Sequence, residues 1–400
     1  MKSTKTEKLK KMKKTISVAL VMLLSISVLN AQKWTPTYSN VDYVGKGNTK
    51  QMLDIYIPSG ITTPTATIIH IHGGAFLMGS KGVSEQPSFQ TFFNNGYICA
   101  DINYRLSSDT LWPAQVHDCK AAIRFLKTHA LQYNIDTCKI GVIGESAGGY
   151  LVAMLGTTGD VASLEGLHLG NTNATSRVQA VVDLFGPINF LTMDAEALAL
   201  GFVINTNSAS SPESKLMGAP VQTIPELVTQ ANPTTYISAD DARFFISAGS
   251  ADQNIPYTQG QNFNNALSPV LGSTSTSFEL MAGAGHGGSF WHTTAQDAKY
   301  LEFYNTSLAN GCSLTSTKPL SSTQTQVVVY PNPASNNLFI VLPNNIEYNI
   351  LVINAIGQVV YQKEKAAMQV NIPVNRLPRG VYSVKAISSD RLLSTKFVKQ

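Results

Sequence analysis

Cysteine is scarce in this sequence, and its spacing lacks the patterns that bind metals. The four cysteines, at positions 99, 119, 138 and 312, include no Cys-x-x-Cys pair. The sequence therefore gives no sign of a zinc or iron–sulfur site. It also does not define a disulfide pairing. We expect buried free thiols, although an exported chain is able to form disulfides.

Charged residues are also scarce, at 14% of the chain, and the basic ones are unevenly placed. Residues 1–14 contain seven lysines and one acid, whereas residues 15–31 contain no charge. The rest of the chain carries 22 basic and 24 acidic residues. This near-neutral balance gives no reason to expect nucleic acid or an anionic membrane as a partner.

Long apolar runs are missing after residue 31, where no segment reaches the ~20 residues of a membrane-spanning helix. Residues 16–29, ISVALVMLLSISVL, follow the lysines and have the length of a signal-peptide core. We therefore predict a signal peptide over residues 1–31, cleaved near Ala31, and no stable membrane span. An uncleaved membrane anchor is the alternative.

From about residue 40 to residue 304, strand-like and helix-like segments alternate. Helical spacing marks residues 116–130, and buried strands are predicted at 66–73, 97–105, 140–144, 179–186, 242–249 and 277–283. This alternation predicts an α/β fold, a mostly parallel sheet with helices on both faces. Segments 41–44 and 51–57 are predicted to form an antiparallel hairpin that leads into this sheet. The intervening residues 188–241 are predicted to form a partial cap over the C-terminal edge of the sheet.

Composition changes after Cys312, where the serine- and threonine-rich residues 313–326 have linker character. Residues 327–400 contain short strand-like segments separated by turns, which predicts a small all-β sandwich. We thus predict an α/β domain over residues 32–312, a linker over 313–326 and a C-terminal domain over 327–400. A carbohydrate-binding module is the alternative interpretation of that last domain.

Ser146 lies in the sequence Gly-Glu-Ser-Ala-Gly, residues 144–148, between a buried strand and a helix-like run. Strand, G-x-S-x-G and helix together are typical of a nucleophile elbow, in which a sharp turn exposes the serine. Glycines are needed there because strand and helix approach closely. A plain glycine turn is the structural alternative.

A nucleophilic serine needs donors for the oxyanion and a base. The segment 72–76, HGGAF, follows a predicted strand, so the backbone N–H groups of Gly73 and Gly74 are candidate donors, together with Ala147 N–H. His286, in AGHGG after the last strand, is the predicted base, and His292 is its rival. His70 is interpreted as a core histidine.

The acid is expected between serine and histidine in chain order, at the same sheet edge. Asp252 follows the strand over residues 242–249 and is the predicted acid; Asp183 is the second choice. Asp240 and Asp241 precede that strand and are predicted at the wrong edge. The acid would hold the imidazole tautomer and stabilise the imidazolium.

The motifs HGGAF, NYRL (103–106), GESAGG, DQNIP and GHGG resemble, as an ordered set, the α/β-hydrolase fold over about residues 40–305. Within that fold the chain resembles bacterial carboxylesterases of the feruloyl-esterase and acetylxylan-esterase type, related to hormone-sensitive lipases. The resemblance implies ester hydrolysis through an acyl-enzyme, with no metal and no organic cofactor. It also assigns Arg105 and Asp118 a structural pairing. Ala75 stands where the family often has glycine.

The segments YPNPASNNLFI (330–340), NAIGQVVYQ (354–362) and LPRGVYSVKA (377–386) resemble the C-terminal sorting domain of the type IX secretion system. This resemblance implies that the secretion machinery is a partner and that the chain is exported through the periplasm to the outside or the cell surface.

Several functional alternatives stay open at this point. They are a prolyl-oligopeptidase-like serine peptidase, a lipase acting on short-chain lipid esters, and an inactive relative used for binding. The expected ester is linked to plant polysaccharide, but the sequence defines neither its acyl group nor its alcohol. The cap and loops such as 81–90 and 107–113 are expected to build the acyl pocket. Leu111, Trp112, Phe290 and Trp291 either line it or pack in the core.

Overall fold

The computed structural model describes residues 35–82, 87–310, 327–342, 347–354, 358–366, 369–388 and 392–400. The chain divides into two compact units, Met1–Cys312 and Ser313–Gln400. The predicted signal peptide and linker lie outside the described residues. Of the helices within these ranges, none has the length and apolarity required to cross a membrane.

The first unit is built on one eight-stranded sheet. Its strands are β1 Tyr38–Asp42, β2 Met52–Tyr56, β3 Thr65–Ile71, β4 Ile98–Ile102, β5 Ile135–Glu145, β6 Ala180–Leu184, β7 Arg243–Gly249 and β8 Thr276–Met281. Their order across the sheet is β1-β2-β4-β3-β5-β6-β7-β8. The β1–β2 and β2–β4 pairs are antiparallel, and all other neighbours are parallel. The predicted mostly parallel sheet and its leading hairpin are thus confirmed.

Helices connect these strands and cover the sheet. They are α1 Pro87–Asn94, α2 Ala114–Thr128, α3 Ala130–Tyr133, α4 Ala147–Thr157, α5 Met193–Ala199, α6 Pro212–Met217, α7 Pro225–Gln230, α8 Thr258–Leu271 and α9 Thr294–Ser307. Neighbouring residues of β3 belong to different cores, because successive side chains point to opposite faces. Ile68 packs in one cluster with Tyr304 of α9, and Ile69 packs in another with Val152 of α4. Both faces of the sheet are therefore covered by helices.

The segment between β6 and β7 holds the short helices α5, α6 and α7. A proline begins both α6 and α7, where its missing N–H group and fixed φ angle suit the first helical turn. Because parallel strands end at one edge of a sheet, this segment leaves β6 at the edge where β5 also ends. This is the position predicted for the cap.

The second unit is all-β. Its strands are β9 Val328–Tyr330, β10 Asn337–Val341, β11 Tyr348–Ile353, β12 Val359–Ala366, β13 Gln369–Pro373, β14 Gly380–Ile387 and β15 Leu392–Lys399. They form a three-stranded sheet, β13-β10-β9, and a four-stranded sheet, β12-β11-β14-β15. Ile340 of the first sheet and Val352 of the second are fully buried in one shared core. The strand-like segments of the sequence here are 327–333, 337–343, 349–362, 380–388 and 392–399. They predict neither β13 nor the division of residues 349–362 between β11 and β12.

The cysteines differ from the expectation at one position. Cys99 and Cys119 are free, buried thiols, as predicted. Cys138, which is only half-buried, is in a disulfide bond. The expectation of a free thiol was therefore wrong for Cys138.

Candidate active site

Ser146 occupies the sharp turn between β5 and α4, with φ 55° and ψ −119°. Non-glycine residues rarely adopt a positive φ, and its cost is sustained only where the surroundings enforce it. The close packing around the nearby glycines, Gly144 and Gly148, shows how the surroundings enforce this conformation. A Cβ atom on Gly148 would lie 2.0 Å from the Ile71 carbonyl oxygen, and one on Gly144 would lie 2.4 Å from Gly148. Strand and helix therefore approach too closely for any side chain there.

The structure brings Ser146, His286 and Asp252 together in one hydrogen-bonded line. His286 Nε2 lies 2.9 Å from Ser146 Oγ, and His286 Nδ1 lies 2.8 Å from Asp252 Oδ2. The other carboxylate oxygen, Asp252 Oδ1, accepts from the backbone N–H groups of Asn254 and Ile255 at 2.8 and 3.0 Å. The Asp252 side chain is fully buried, so its orientation is fixed. This arrangement suits removal of a proton from the serine hydroxyl.

Two aromatic residues hold His286 in place, a role that sequence analysis did not anticipate for either of them. The Phe185 ring packs edge-on against the imidazole, with the ring centroids 4.9 Å apart. The Trp291 indole N–H donates to the carbonyl oxygens of Gly285 and Gly287 at 3.3 and 3.1 Å, on either side of the histidine. Phe185 has φ 45°, a second strained residue at this edge of the sheet.

The predicted oxyanion loop lies directly against the elbow. A Cβ atom on Gly73 would be 2.7 Å from the Glu145 carbonyl oxygen, and Gly74 has φ +111°. Within the described part of the chain, no acceptor is bonded to the backbone N–H groups of Gly73, Gly74 and Ala147. These donors are therefore available to a ligand. Ala75, where the family often has glycine, takes φ 56° and keeps the loop in the same left-handed region.

His72 anchors the loop without taking part in the hydrogen-bonded line. Its ring stacks on Tyr104 at 4.3 Å between centroids, and Tyr104 Oη donates to the His72 carbonyl oxygen at 2.9 Å. Burial lowers the pKa of His72. A neutral imidazole with these contacts is a structural residue of the loop.

Arg105 and Asp118 form the pairing expected of them. The guanidinium donates through Nε and Nη2 to the two carboxylate oxygens at 2.8 and 2.7 Å. Gln51 Nε2 donates to the same carboxylate at 2.7 Å. The pair thus joins the loop after β4 to α2 and to the segment before β2.

His292 has different partners from His286. Its Nδ1 lies 3.0 Å from Ser88 Oγ, and that hydroxyl donates to Asp297. His292 borders the same cavity as Ser146. Its Nδ1 atom is nevertheless hydrogen-bonded to Ser88, whereas the Ser146 hydroxyl is hydrogen-bonded to His286.

Asp183, the second choice for the acid, is buried beneath the elbow. Its Oδ1 accepts from the Gly186 backbone N–H at 3.0 Å, and a Cβ atom on Gly149 would lie 2.4 Å from the same oxygen. Asp183 Oδ2 is buried with no hydrogen-bond partner among the described residues. Burial raises the pKa of this carboxyl to about 7, against the opposing effect of the Gly186 N–H.

This raised pKa predicts a pH dependence of stability. In the unfolded chain the aspartate pKa is about 3.9, so the folded state binds the proton more tightly and loses stability as pH rises from about 4 to 7. Asp183→Asn removes this ionisation. We expect the free energy of unfolding of the wild type to fall, relative to the variant, by about 4 kcal/mol between pH 4 and 8.

The measurement is urea denaturation of both proteins across that pH range, followed by tryptophan fluorescence. All three tryptophans, at positions 34, 112 and 291, precede the C-terminal unit, so the signal reports the first unit. Parallel pH profiles of the two proteins would contradict this assignment.

His70 is buried as predicted, but it also bridges two carboxylates, which sequence analysis did not anticipate. Its Nδ1 lies 2.9 Å from Asp101 Oδ1, and its Nε2 lies 2.9 Å from Glu145 Oε2. Burial opposes the charge, yet the two carboxylates together raise the pKa of His70 to about 10. Burial likewise acts to raise the pKa of Glu145, but the imidazolium holds it below its usual value. A permanent ionic bridge thus fixes the residue that precedes Ser146.

A cavity of about 820 Å³ opens beside Ser146 and His286. Its apolar lining comes from Phe76, Met78, Phe185, Pro187, Met193, Ile204 and Ile255. The cap supplies a polar segment, residues 205–213, on the same cavity. The volume suits a ligand of small-molecule size. The described residues contain no group of three or more His, Cys, Asp or Glu side chains arranged to hold a metal.

The aromatic residues suggested for the acyl pocket lie elsewhere. None of Leu111, Trp112, Phe290 and Trp291 is among the residues that line this cavity. Trp112 and Trp291 are buried in the core, and Leu111 and Phe290 are about half exposed. The cap lines this cavity, as expected, but loop 107–113 and the described residues of loop 81–90 do not, so the expectation was wrong for them. Residues 83–86 lie outside the described part of the chain.

Family models match both units of the chain. The BD-FAE model matches residues 53–267. A model described as a secretion system C-terminal sorting domain matches residues 328–400.

Curated relatives are esterases of moderate similarity. LipM of Mycobacterium tuberculosis, a probable carboxylic ester hydrolase, is 29% identical over 56% of this chain and 52% of its own length. Esterase LipQ of the same organism is 26% identical over 64% of this chain and 58% of its own. The chain thus spans about half the length of the curated relatives it matches.

A solved structure matches the first unit more completely. A truncated carbohydrate esterase from gut microbiota is 30% identical, with a TM-score of 0.63, over 69% of this chain and 98% of its own.

Proposed function

The chain belongs to the BD-FAE family, and on that premise we propose that it is an exported serine carboxylesterase that works through an acyl-enzyme. One observation carries the proposal: the line of hydrogen bonds from Ser146 Oγ through His286 to Asp252, beside a cavity. We therefore assign Ser146 as the nucleophile, His286 as the base and Asp252 as the acid. Neither His292 nor Asp183 takes one of these roles.

In the acylation step, Ser146 Oγ attacks the ester carbonyl carbon while His286 Nε2 takes the hydroxyl proton. The carbonyl oxygen becomes an oxyanion, which the N–H groups of Gly73, Gly74 and Ala147 stabilise. The bond between the carbonyl carbon and the alcohol oxygen then breaks, and His286 returns its proton to the leaving alcohol. Asp252 holds Nδ1–H and stabilises the imidazolium.

In the deacylation step, water replaces the alcohol. His286 Nε2 takes a proton from the water as its oxygen attacks the acyl carbon, and the same backbone donors hold the second oxyanion. The bond to Ser146 Oγ breaks, and the serine recovers its proton from His286. The products are a carboxylic acid and the free enzyme.

We further propose that the ester is an acetyl or feruloyl group on plant polysaccharide. The name of the gut-microbial carbohydrate esterase supports this substrate class by analogy. The match to a secretion sorting domain supports export, with the type IX machinery as a partner and a secreted or cell-surface location. Export suits a polymeric substrate that cannot enter the cell.

The test is a comparison of substrates. We expect the purified protein to hydrolyse p-nitrophenyl acetate and to release acetate from acetylated xylan or ferulate from feruloylated arabinoxylan. A proline-containing peptide substrate and a short-chain triacylglycerol serve as controls for a peptidase and a lipase. Faster turnover of either control than of every ester of a sugar would contradict the proposal.

A further inference from the structure

The cap segment that faces the cavity is unusually polar, and most of its side chains already have partners. Ser211 Oγ donates to the Thr206 carbonyl oxygen at 2.6 Å and accepts from the Ser214 N–H at 3.0 Å. Thr206 Oγ1 donates to Asp194 Oδ1 at 2.8 Å. These groups hold the segment in shape, so they are not free to select a ligand.

Glu213 is the one ionisable residue of the segment 205–213. It lines the cavity and is only 7% exposed. Burial raises the pKa of its carboxyl, with its own backbone N–H and Ser211 acting in the opposite direction. The one charge acting on it is Asp194, which is also negative, and no cation of the described residues pairs with it. The backbone N–H and Ser211 offset the cost of burying this carboxylate only in part, and donors from a ligand would offset it further.

A comparison within the cap shows that helix position alone does not explain this burial. Both α6 and α7 have six residues and begin Pro-Glu, with Glu213 and Glu226 at the same place in the first turn. Glu226 is exposed to solvent. A glutamate in the first turn can therefore stabilise the helix while its side chain is exposed to solvent. The burial of Glu213 against the cavity calls for another explanation.

The neighbours of Glu213 on the cavity wall indicate which donors suit it. Asn205 supplies an amide, and Ser208 and Ser210 supply two hydroxyls that bond to each other at 2.8 Å. A hydroxyl group of a ligand donates to a carboxylate and accepts from an amide or another hydroxyl. A cationic ligand would use the carboxylate alone and leave these neutral groups without a role.

We propose that Glu213 is a specificity-determining residue that accepts hydrogen bonds from hydroxyl groups on the alcohol part of the ester, as on a sugar. The inference rests on the proposed esterase function. It states that the cap recognises the alcohol part of the substrate. It assigns Ser146 and Glu213 to different parts of one ligand, since both line the same cavity.

The test uses two acetyl esters that differ only in the alcohol: an acetylated xylo-oligosaccharide and p-nitrophenyl acetate. The readout is the ratio of their kcat/KM values. Glu213→Gln keeps the shape of the side chain and is expected to lower the sugar-to-nitrophenyl ratio about 10-fold, mainly through KM of the sugar ester, and Glu213→Ala more. Glu226→Gln, the matched control, is expected to leave the ratio unchanged.

The outcomes separate this inference from the proposed function. If the wild type hydrolyses neither ester, the proposed function fails. If it hydrolyses both and Glu213→Gln lowers both values equally, Glu213 has only a structural role and the inference is overturned. A loss confined to a cationic ester such as acetylcholine would also overturn it. Thermal melting of each variant checks folding, and the isosteric glutamine variant keeps the test valid if the alanine variant unfolds.

Discussion

Replacing Ser146 with alanine is expected to lower kcat for ester hydrolysis by at least about 10⁴-fold. The substitution removes the only atom that the proposed mechanism acylates, and water would have to attack the ester directly. The oxyanion donors and the cavity remain, so weak residual catalysis and substrate binding are expected to persist. The measurement is kcat and KM with p-nitrophenyl acetate.

Ser88→Ala is the control for this result. Ser88 is also a buried serine in contact with a histidine, His292, but it lies outside the cavity lining. We expect Ser88→Ala to lower kcat by less than about 10-fold. If Ser88→Ala lost activity as Ser146→Ala does, or if Ser146→Ala kept it, the nucleophile would be assigned to the wrong residue.

His286→Ala is expected to cause a loss of the same order as Ser146→Ala, because neither residue performs its step without the other. The imidazole takes the serine proton in acylation and the water proton in deacylation. His292→Ala is the matched control, since both histidines border one cavity. It is expected to retain most of kcat, because His292 Nδ1 contacts Ser88 rather than Ser146.

The two histidine variants give a clear contrast in a single assay. Stopped-flow measurement of p-nitrophenol release reports acylation, and the steady state reports the slower step. His286→Ala should abolish the rapid phase, whereas His292→Ala should keep it. The reverse pattern would assign the base to His292 and contradict the proposed geometry.

Local motifs made much of the candidate site predictable. Strand, glycine, serine, glycine and helix occur in direct succession around Ser146, because the close approach of β5 and α4 excludes side chains at Gly144 and Gly148. His286 and Asp252 follow the strands whose ends share that edge of the sheet. Their selection needed only chain order and the rule that parallel strands end at one edge. The catalytic roles themselves stay predictions.

Contacts between distant segments were not predictable in this way. The bridge from Asp101 through His70 to Glu145 joins three neighbouring strands, and nothing in the local sequence of any one of them signals it. The same is true of the Phe185 ring that packs on His286. The cap was expected to help build the pocket and supplies residues 205–213 to the cavity wall, but which of its side chains face the cavity could not be read from the sequence.

The C-terminal unit shows a limit of a different kind. β11 ends at Ile353 and β12 begins at Val359, but apolar residues both precede and follow Gly357, so the local pattern did not divide the segment. The small strand β13 pairs with β10, an assignment that depends on partners 28 to 36 residues away in the sequence. Pairing over such separations is not contained in a local pattern.

The most direct test of the proposed mechanism is to trap the acyl-enzyme. The protein is mixed with p-nitrophenyl acetate, quenched in acid within milliseconds and digested with trypsin, which releases residues 140–177 as one peptide. Fragmentation by mass spectrometry then locates any acetyl group. We predict acetylation of Ser146 in the wild type and none in Ser146→Ala. Turnover of the ester with the acetyl group on another residue, or with no acetylated intermediate, would contradict the mechanism.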